Sequence, residues 1–186
     1  MQNKEHSNRR EFLTAAAAVS AAAPFVSRMS WAQGSPMQKI QHAAIAAGGK
    51  GRSDINEICS HDKVELLAAA DVDSTPLEAL KKDFPNTRHF RDWREMLLEL
   101  GDQIDTVSVS TPDHTHGIAS MSAMNLGKHV YCQKPLVQTV LECRQMLACA
   151  KKNNVVVQMG TQGASSFYDR FCVHFIQSEA FGKIKE

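Results

Sequence analysis

The sequence lacks the patterns by which several classes of protein are recognised. Its five cysteines include no Cys-x-x-Cys pair, and thiols scattered in this way are more often small buried side chains than a disulfide framework or a metal site. The formal net charge is only +1, and no basic run or alternation of basic and aromatic residues is present, which argues against a nucleic-acid partner. No apolar segment is long enough to serve as a membrane anchor.

The chain is also too short for two full domains. Its 186 residues, of which 43% are hydrophobic and 22% are charged, can form one globular domain and part of a second. We therefore expect one complete domain with its own hydrophobic core.

Residues 1–32 are predicted to be a targeting signal rather than part of the fold. Arg9-Arg10 precedes an Ala-rich apolar run, Ala15 to Val26, which is too short to anchor the chain in a bilayer. The pattern resembles a twin-arginine (Tat) export signal with cleavage after Ala32. A surface-lying amphipathic helix is the alternative, but the start of the apolar run has no polar face. The expected location is the periplasm, reached by the twin-arginine route.

The segment from Asp105 to Leu136 carries the clearest structural pattern. A β-branched strand, Thr106 to Val109, stops at Ser110-Thr111-Pro112, and a helix from about His114 to Asn125 leads to a second strand that delivers Gln133-Lys134-Pro135. In a strand–helix–strand unit the two strands lie parallel, so Thr111 and Lys134 should emerge at the same edge of one sheet. Open α/β sheets bind their ligands at that edge.

A glycine-rich loop follows the first predicted strand, Lys39 to Ile45. Against the pattern Gly-x-Gly-x-x-Gly the loop offers Ala46, Gly48 and Gly51, with Gly49 between the last two. Gly48 would let a pyrophosphate approach the backbone, and Gly51 would let the next helix pack closely on the strand. Ala46 adds a methyl group at the tight turn and is expected to strain it. A plain loop of small residues is the alternative.

Asp71 supports the phosphate-binding interpretation of this loop. It ends a second apolar strand, Val64 to Ala70, about 20 residues after Gly51, where the dinucleotide fingerprint places a carboxylate for the adenine ribose hydroxyls. A carboxylate there would repel a 2′-phosphate and Val72 offers no guanidinium, so NAD is preferred over NADP. Alternatively, Asp71 or Asp73 only opens the turn before the next helix, a role that is compatible with ribose binding.

The other segments predict the scaffold of an α/β, Rossmann-type, doubly wound parallel sheet. The final strand is continuously apolar, which is typical of a central strand. Further helices are expected at residues 53–59, 76–83, 92–101 and 139–154, and further strands at 89–90 and 155–159. The apolar side chains expected to be buried are Ile118, Met121 and Met124 in the helix after Pro112 and Leu141, Met146, Leu147 and Ala150 in the helix after Thr139.

Two motifs at this spacing resemble one family. The sequence STPDHTH at residues 110–116, followed by GKHVYCQKPL at residues 127–136, is similar to the N-terminal half of the Gfo/Idh/MocA family of nicotinamide-dependent oxidoreductases of sugars and cyclitols. The likeness runs from Ile40 to the end, with Gln133 where the family usually has Glu. It implies a dinucleotide-binding domain at residues 37–159 and a linker with the truncated start of a C-terminal α+β substrate domain at residues 160–186. The family's chains are about twice as long.

The resemblance also implies roles for individual residues. Lys134 would be catalytic, contacting the substrate hydroxyl and assisting proton transfer, although a solvated lysine before a turn is the alternative. Gln162 would face the substrate. No metal is expected, because histidines at alternate positions of a helix start diverge. The family's general acid–base His would lie in the absent domain. Residues implied at the cofactor, beside the three glycines and Asp71, are Ser110, Thr111, Pro112, His116 and Gln133.

The predicted function is the NAD-binding part of an exported oxidoreductase that acts on a sugar or polyol by hydride transfer. The alternatives are an NAD-binding module without turnover and a truncated remnant. Residues 182–186 fall where a further strand would begin, so an unpaired edge and an uncovered helix face are expected. The isolated chain should therefore be poorly stable or form a homo-oligomer.

Overall fold

The structure is a computed structural model that describes residues 39–178, Ala180 and Gly182. The predicted export signal at residues 1–32 lies outside the described residues, as does most of the segment in which a further strand was expected to begin. None of the helices in the described part combines the length and apolar character that crossing a membrane requires.

The described chain alternates strands and helices from its first element to its last. Six strands are present, β1 Ile40–Ile45, β2 Val64–Ala70, β3 Arg88–Phe90, β4 Thr106–Val109, β5 His129–Gln133 and β6 Val157–Gly160. The helices are α1 Gly49–Cys59, α2 Ser74–Asp83, α3 Trp93–Leu100, α4 His116–Asn125, α5 Val140–Asn153 and α6 Phe167–Gln177. Short 3₁₀ turns lie at Gly101–Gln103, Asp113–Thr115 and Gln162–Ser165.

The strands form one parallel sheet with the order β3-β2-β1-β4-β5-β6. This order is that of a doubly wound Rossmann fold, as the sequence predicted, and the direction of winding reverses between β1 and β4. Ile45 pairs with both Ala70 and Val109, and Val109 pairs with Cys132. The chain therefore leaves β1, β2, β4 and β5 at the same level of one edge.

The central strands carry small side chains that are buried on both faces. Ala43, Ala44, Ala68 and Ala69 are fully buried, which lets helices on both sides approach the sheet closely. One hydrophobic cluster lies between the sheet and α3, α4 and α5, and a second lies under α1 and α2. The single complete core expected from the composition is thus built as two layers around one sheet.

The buried face of α4 differs from the prediction. Ala119, Ala123 and Met124 face the sheet, whereas Ile118 is 54% exposed and Met121 is only partly buried. Met124 is buried as predicted, but Ala119 and Ala123 rather than Ile118 complete the buried face, because small side chains let the helix pack nearer to the strands.

Two expectations for the end of the sheet are also wrong. In α5 only Met146 is fully buried, while Leu141 and Leu147 are 65% and 57% exposed. The apolar run at residues 155–159 forms β6, which is an edge strand rather than a central one. An apolar run in the sequence does not show whether a strand lies in the middle of the sheet or at its edge.

The cysteines agree only partly with the expectation of buried thiols. All five are free, and Cys132 is buried while Cys143 and Cys172 are exposed. Burial raises the pKa of the Cys132 and Cys59 thiols to about 11, so both stay protonated at neutral pH.

His42 joins the two central strands by polar contacts inside the sheet. Its Nδ1 lies 2.8 Å from Thr106 Oγ1 and its Nε2 lies 3.0 Å from Ser108 Oγ, both on β4. The side chain is buried, and this burial lowers the pKa of His42 from the usual 6.5 to about 4. The ring is therefore neutral in the folded protein at physiological pH.

Stability should fall as the pH drops from 6.5 towards 4 because of His42. In this range the unfolded chain takes up a proton at His42 that the folded chain does not, so each pH unit costs up to about 1.4 kcal/mol. Urea unfolding at a series of pH values measures this slope. His42→Gln should reduce it, whereas His61→Gln, at an exposed histidine, should leave it unchanged. Equal slopes for the parent and His42→Gln would contradict the assignment.

Candidate functional site

The candidate site lies where the sheet changes its direction of winding. The loop after β1 carries Gly48 and Gly49, β2 ends at Asp71, and β4 and β5 lead into residues 110–112 and 133–135. All of these segments emerge at the carboxyl edge, so Thr111 and Lys134 share an edge as predicted. Ligands of doubly wound sheets bind in this crevice.

The three glycines of the loop have different surroundings, and the close packing expected at Gly51 is present. A Cβ at Gly51 would lie 2.4 Å from the Ala46 carbonyl oxygen, so only glycine lets α1 approach β1 this closely. Gly49 has φ +49° and nothing within 4 Å of a Cβ, which leaves open space beside the backbone. A Cβ at Gly48 would press on Pro76 at 3.0 Å. Ala46 has φ +89°, the left-handed region in which a Cβ is strained.

Asp71 is held against this loop by backbone donors. Its Oδ2 accepts hydrogen bonds from the Ala47 N–H at 2.8 Å and the Gly48 N–H at 3.3 Å, and its Oδ1 accepts from the Asp73 N–H at 3.0 Å. Asp73, in turn, caps α2 by accepting from the Thr75 N–H at 2.8 Å. Asp71 thus contacts both the glycine loop and the turn before α2, and Asp73 caps that helix.

A guanidinium lies near Asp71, although Val72 does not supply it. Arg91, which follows β3, donates a hydrogen bond to the Val72 carbonyl oxygen. The hydrogen bond from the Thr75 backbone lowers the pKa of Asp73, and the charge of Arg91 contributes in the same direction. The pairing of β2 with β3 brings Arg91 to this place, which could not be seen from the residues next to Asp71.

His116 ties together the two loops that carry the family motifs. It is buried, with Nε2 at 2.7 Å from the Thr111 carbonyl oxygen and Nδ1 at 2.7 Å from the Pro135 carbonyl oxygen. Both ring nitrogens thus face backbone carbonyl oxygens of the two loops. His116 therefore supports the backbone at the site and offers no free polar atom to a ligand.

Lys134 follows β5 directly and is exposed at the site edge. Its peptide bond to Pro135 is cis. Within the described part of the chain its ammonium group makes no hydrogen bond or ion pair, although the backbone on both sides is fixed. The structure thus presents a cation with unused donors next to the Thr111 turn, at the sheet edge that also carries the glycine loop.

Sequence reasoning missed Asp54, which joins several of the predicted residues. The Asp54 side chain is 4% exposed and forms an ion pair with Lys50 at 2.7 Å. Its Oδ2 accepts from Ser110 Oγ at 2.6 Å and from Gln133 Nε2 at 2.7 Å. The available signal was a carboxylate on the buried face of α1, next to Ile55 and one turn after Lys50.

Gln162 completes the same network. Every neighbour of its amide is satisfied when the oxygen accepts from Gln133 Nε2 at 2.5 Å, Tyr131 Oη at 2.7 Å and Lys50 Nζ at 3.3 Å. The nitrogen then donates to the Gly160 carbonyl oxygen at 2.8 Å. Gln133 and Gln162, predicted to face the cofactor and the substrate, are therefore bonded to each other and to the protein in this structure.

No metal centre is formed by the residues that the structure describes, since no group of three or more His, Cys, Asp or Glu side chains is arranged to hold an ion. Asp113 and His114 are exposed, whereas His116 is buried. The two histidines therefore lie in different environments.

A family model described as an oxidoreductase family with an NAD-binding Rossmann fold matches residues 40–161. The chain belongs to the Gfo/Idh/MocA family. The fold and the cofactor class predicted from the sequence are those of this family. The match covers the whole sheet and the glycine loop, Asp71 and Lys134.

The curated relatives of this chain are named either as dehydrogenases or as glycosidases. A 1-carboxy-3-chloro-3,4-dihydroxycyclohexa-1,5-diene dehydrogenase of Comamonas testosteroni is 30% identical over 66% of this chain and 30% of its own length. An alpha-N-acetylgalactosaminidase of Shewanella oneidensis is 31% identical over 62% of this chain and 27% of its own. The chain thus spans less than a third of each relative.

Solved structures of the family share the same architecture. The myo-inositol 2-dehydrogenase of Lactobacillus plantarum superposes with a TM-score of 0.67 at 26% identity, covering 79% of this chain and 43% of that one. The shared part contains the dinucleotide-binding sheet.

Replacing Ala46 by glycine should stabilise the protein. Releasing the strain of a positive φ outweighs the added flexibility of glycine in the unfolded chain, so the free energy of unfolding should rise by about 1 kcal/mol. Urea unfolding measures the change. Ala47→Gly is the matched control, because Ala47 is buried and is not among the positive-φ residues, and it should destabilise. A loss of stability in Ala46→Gly would show that the turn is unstrained.

Proposed function

We propose that this chain is the NAD-binding part of an enzyme that transfers a hydride to or from a carbon atom of a sugar, polyol or related polyhydroxylated ring. The observation that carries the proposal is the placement of Asp71, whose carboxylate is held at the glycine loop by the Ala47 and Gly48 amides at the reversal point of the sheet. A carboxylate fixed beside a phosphate-binding turn suits an adenine ribose.

The residues at the carboxyl edge fit a dinucleotide. Open space beside the Gly49 backbone, at the start of α1, suits a pyrophosphate, which is favoured by free N–H groups and the helix dipole. NAD, when bound, supplies the hydride acceptor, and NADH supplies the donor. The loop at Thr111 and Pro112, supported by His116, would then border the nicotinamide side of the crevice.

Asp71 favours NAD over NADP. Its carboxylate would accept hydrogen bonds from the ribose hydroxyls and would repel a 2′-phosphate. Arg91 lies close by but already donates to the Val72 carbonyl oxygen, and it is also attracted by the charge of Asp73. The repulsion of a 2′-phosphate by the Asp71 carboxylate therefore outweighs its attraction to Arg91.

Lys134 is proposed as the catalytic residue that contacts the reacting hydroxyl. Its exposure, its unused donors and its position beside Thr111 suit an ammonium group that binds an oxygen and moves a proton there. A substrate made of hydroxylated rings is inferred from the names of the relatives, which include inositol and dihydroxycyclohexadiene dehydrogenases.

Glycoside hydrolysis is a second candidate activity. It is favoured by the relative named alpha-N-acetylgalactosaminidase, which matches as well as the dehydrogenase does. The two activities differ in whether NADH accumulates with the product or a sugar is released from a glycoside.

An NAD-binding module without turnover is the third alternative, and it would bind the cofactor without forming NADH or releasing a sugar.

The proposal also includes export by the twin-arginine route, on the strength of Arg9-Arg10 and the apolar run that follows. Sequencing the N-terminus of the protein recovered from the periplasm tests it.

Association of the isolated chain with a second copy is proposed because α6 exposes Phe167, Phe171 and Ile176 by 72%, 50% and 52%.

Replacing Asp71 by alanine should weaken NAD binding by about tenfold and NADP binding by less, because the ribose hydroxyls lose their acceptor while the charge that repels a 2′-phosphate is removed. Calorimetric titration of both cofactors measures the ratio. Asp62→Ala is the matched control, since it removes an exposed carboxylate in the turn before β2, at the opposite edge of the sheet, and it should leave the ratio unchanged. Equal losses for NAD and NADP in Asp71→Ala would remove the ribose role.

Replacing Lys134 by methionine should lower turnover by about a hundredfold while NAD binds as before, because the methionine keeps the length of the side chain but cannot donate or release a proton. NADH formation with a panel of polyols and sugar release from glycosides measure the two candidate activities in the full-length natural protein. Lys63→Met, at an exposed lysine at the opposite sheet edge, should keep full turnover. Full turnover in Lys134→Met would exclude the proposed role.

A further inference from the structure

Asp54 places a buried negative charge beneath the candidate site. Its side chain is 4% exposed, and it lies on α1 between the ends of β4 and β5. A carboxylate taken out of water is stable only when hydrogen-bond donors or a cation replace the water. Asp54 has three such partners, and they come from different segments.

Each partner of Asp54 belongs to a segment that carries a candidate site residue. Lys50 lies in the glycine loop and first turn of α1, Ser110 precedes Thr111, and Gln133 precedes Lys134. The three contacts measure 2.6–2.7 Å, which is the range of charge-assisted hydrogen bonds. Asp54 therefore links the phosphate loop, the nicotinamide-side turn and the strand end that presents Lys134.

The amide at position 133 is matched to this carboxylate. Gln133 donates through Nε2 to Asp54 Oδ2 at 2.7 Å, whereas a glutamate there would place two carboxylates in contact. The side chain lies close against Gly160, because a Cβ at that glycine would be only 2.9 Å from the Gln133 amide. The presence of Gln133 in place of the usual Glu thus has a physical reason in Asp54.

We propose that Asp54 and Gln133 form a matched carboxylate–amide pair, with Asp54 the positioning residue that sets Lys134 and the cofactor loop relative to each other. The inference rests on the proposed function for its consequence in cofactor binding. The pairing itself rests only on the geometry of the two side chains.

In the described part of the chain, the ionisable groups that interact with the Asp54 carboxylate are Lys50 on α1 and Tyr131 on β5. Burial raises the pKa of Tyr131, the charge of Asp54 raises it further, and the charge of Lys50 opposes this. One ammonium group therefore balances one carboxylate, and a second carboxylate at position 133 would have no cation of its own.

Isosteric substitutions test the pair without changing its shape. NAD affinity and the melting temperature are measured between about pH 5 and about pH 8 for Asp54→Asn, Gln133→Glu and the double variant. Asp54→Asn should weaken NAD binding by about tenfold at every pH, because two amides face each other and Lys50 loses its partner. Gln133→Glu should bind normally or slightly less well near pH 5, where one carboxyl holds a proton, and about tenfold less well near pH 8.

The double variant reverses the pair and is the decisive measurement. Because the amide introduced at position 54 can donate to the carboxylate introduced at position 133, NAD affinity should return to within about threefold of the parent and the pH dependence should disappear. Asp83→Asn is the matched control, since it breaks an exposed ion pair between α2 and Arg52 of α1, and it should match the parent. A double variant as weak as the product of the two single losses, or a pH-independent Gln133→Glu of parental affinity, would overturn the proposal.

The melting temperatures separate this inference from the proposed function. If the parent itself does not bind NAD, the proposed function fails, but the pairing can still be decided. Gln133→Glu should then melt at a lower temperature near pH 8 than near pH 5, because the shared proton stabilises only the folded state, and the double variant should recover. Additive, pH-independent changes in melting temperature would overturn the pairing.

Discussion

The close approach of α1 to β1 is the contact on which the rest of the site depends. A Cβ at Gly51 would lie 2.4 Å from the Ala46 carbonyl oxygen, so the helix can reach this position only with glycine there. The approach sets the glycine loop in front of Asp71 and places Asp54 beneath the ends of β4 and β5. The absence of a Cβ at Gly51 thus determines where the carboxylates of Asp71 and Asp54 lie relative to the site.

The two carboxylates differ in burial and in the groups that donate hydrogen bonds to them. Asp71 is half-buried and takes its hydrogen bonds from backbone amides, so it keeps capacity for a further partner at the edge. Asp54 is buried and uses Lys50, Ser110 and Gln133, so its charge is satisfied inside the protein. The two acids thus differ in what they can still bind, and Lys134 is exposed at the same sheet edge.

Local patterns predicted much of this molecule because they depend on neighbours in the chain. The alternation of strands and helices, the glycine loop and the place of Asp71 at the end of β2 all follow from short-range chemistry. The predictions that were wrong concern packing. Ile118 and Leu141 lie on apolar faces that this chain does not bury, and the strand at residues 157–160 occupies an edge.

The sequence by itself determined the fold class, the family and the segments that form the site edge, since parallel strands with helical crossovers have one handedness and one ligand-binding edge. Only the tertiary structure decided which distant side chains meet there. Asp54 and Gln133 are far apart in the chain, and Arg91 reaches Val72 only through the pairing of β2 with β3. Such contacts depend on strand register and on the depth at which a helix packs, and no local pattern encodes either.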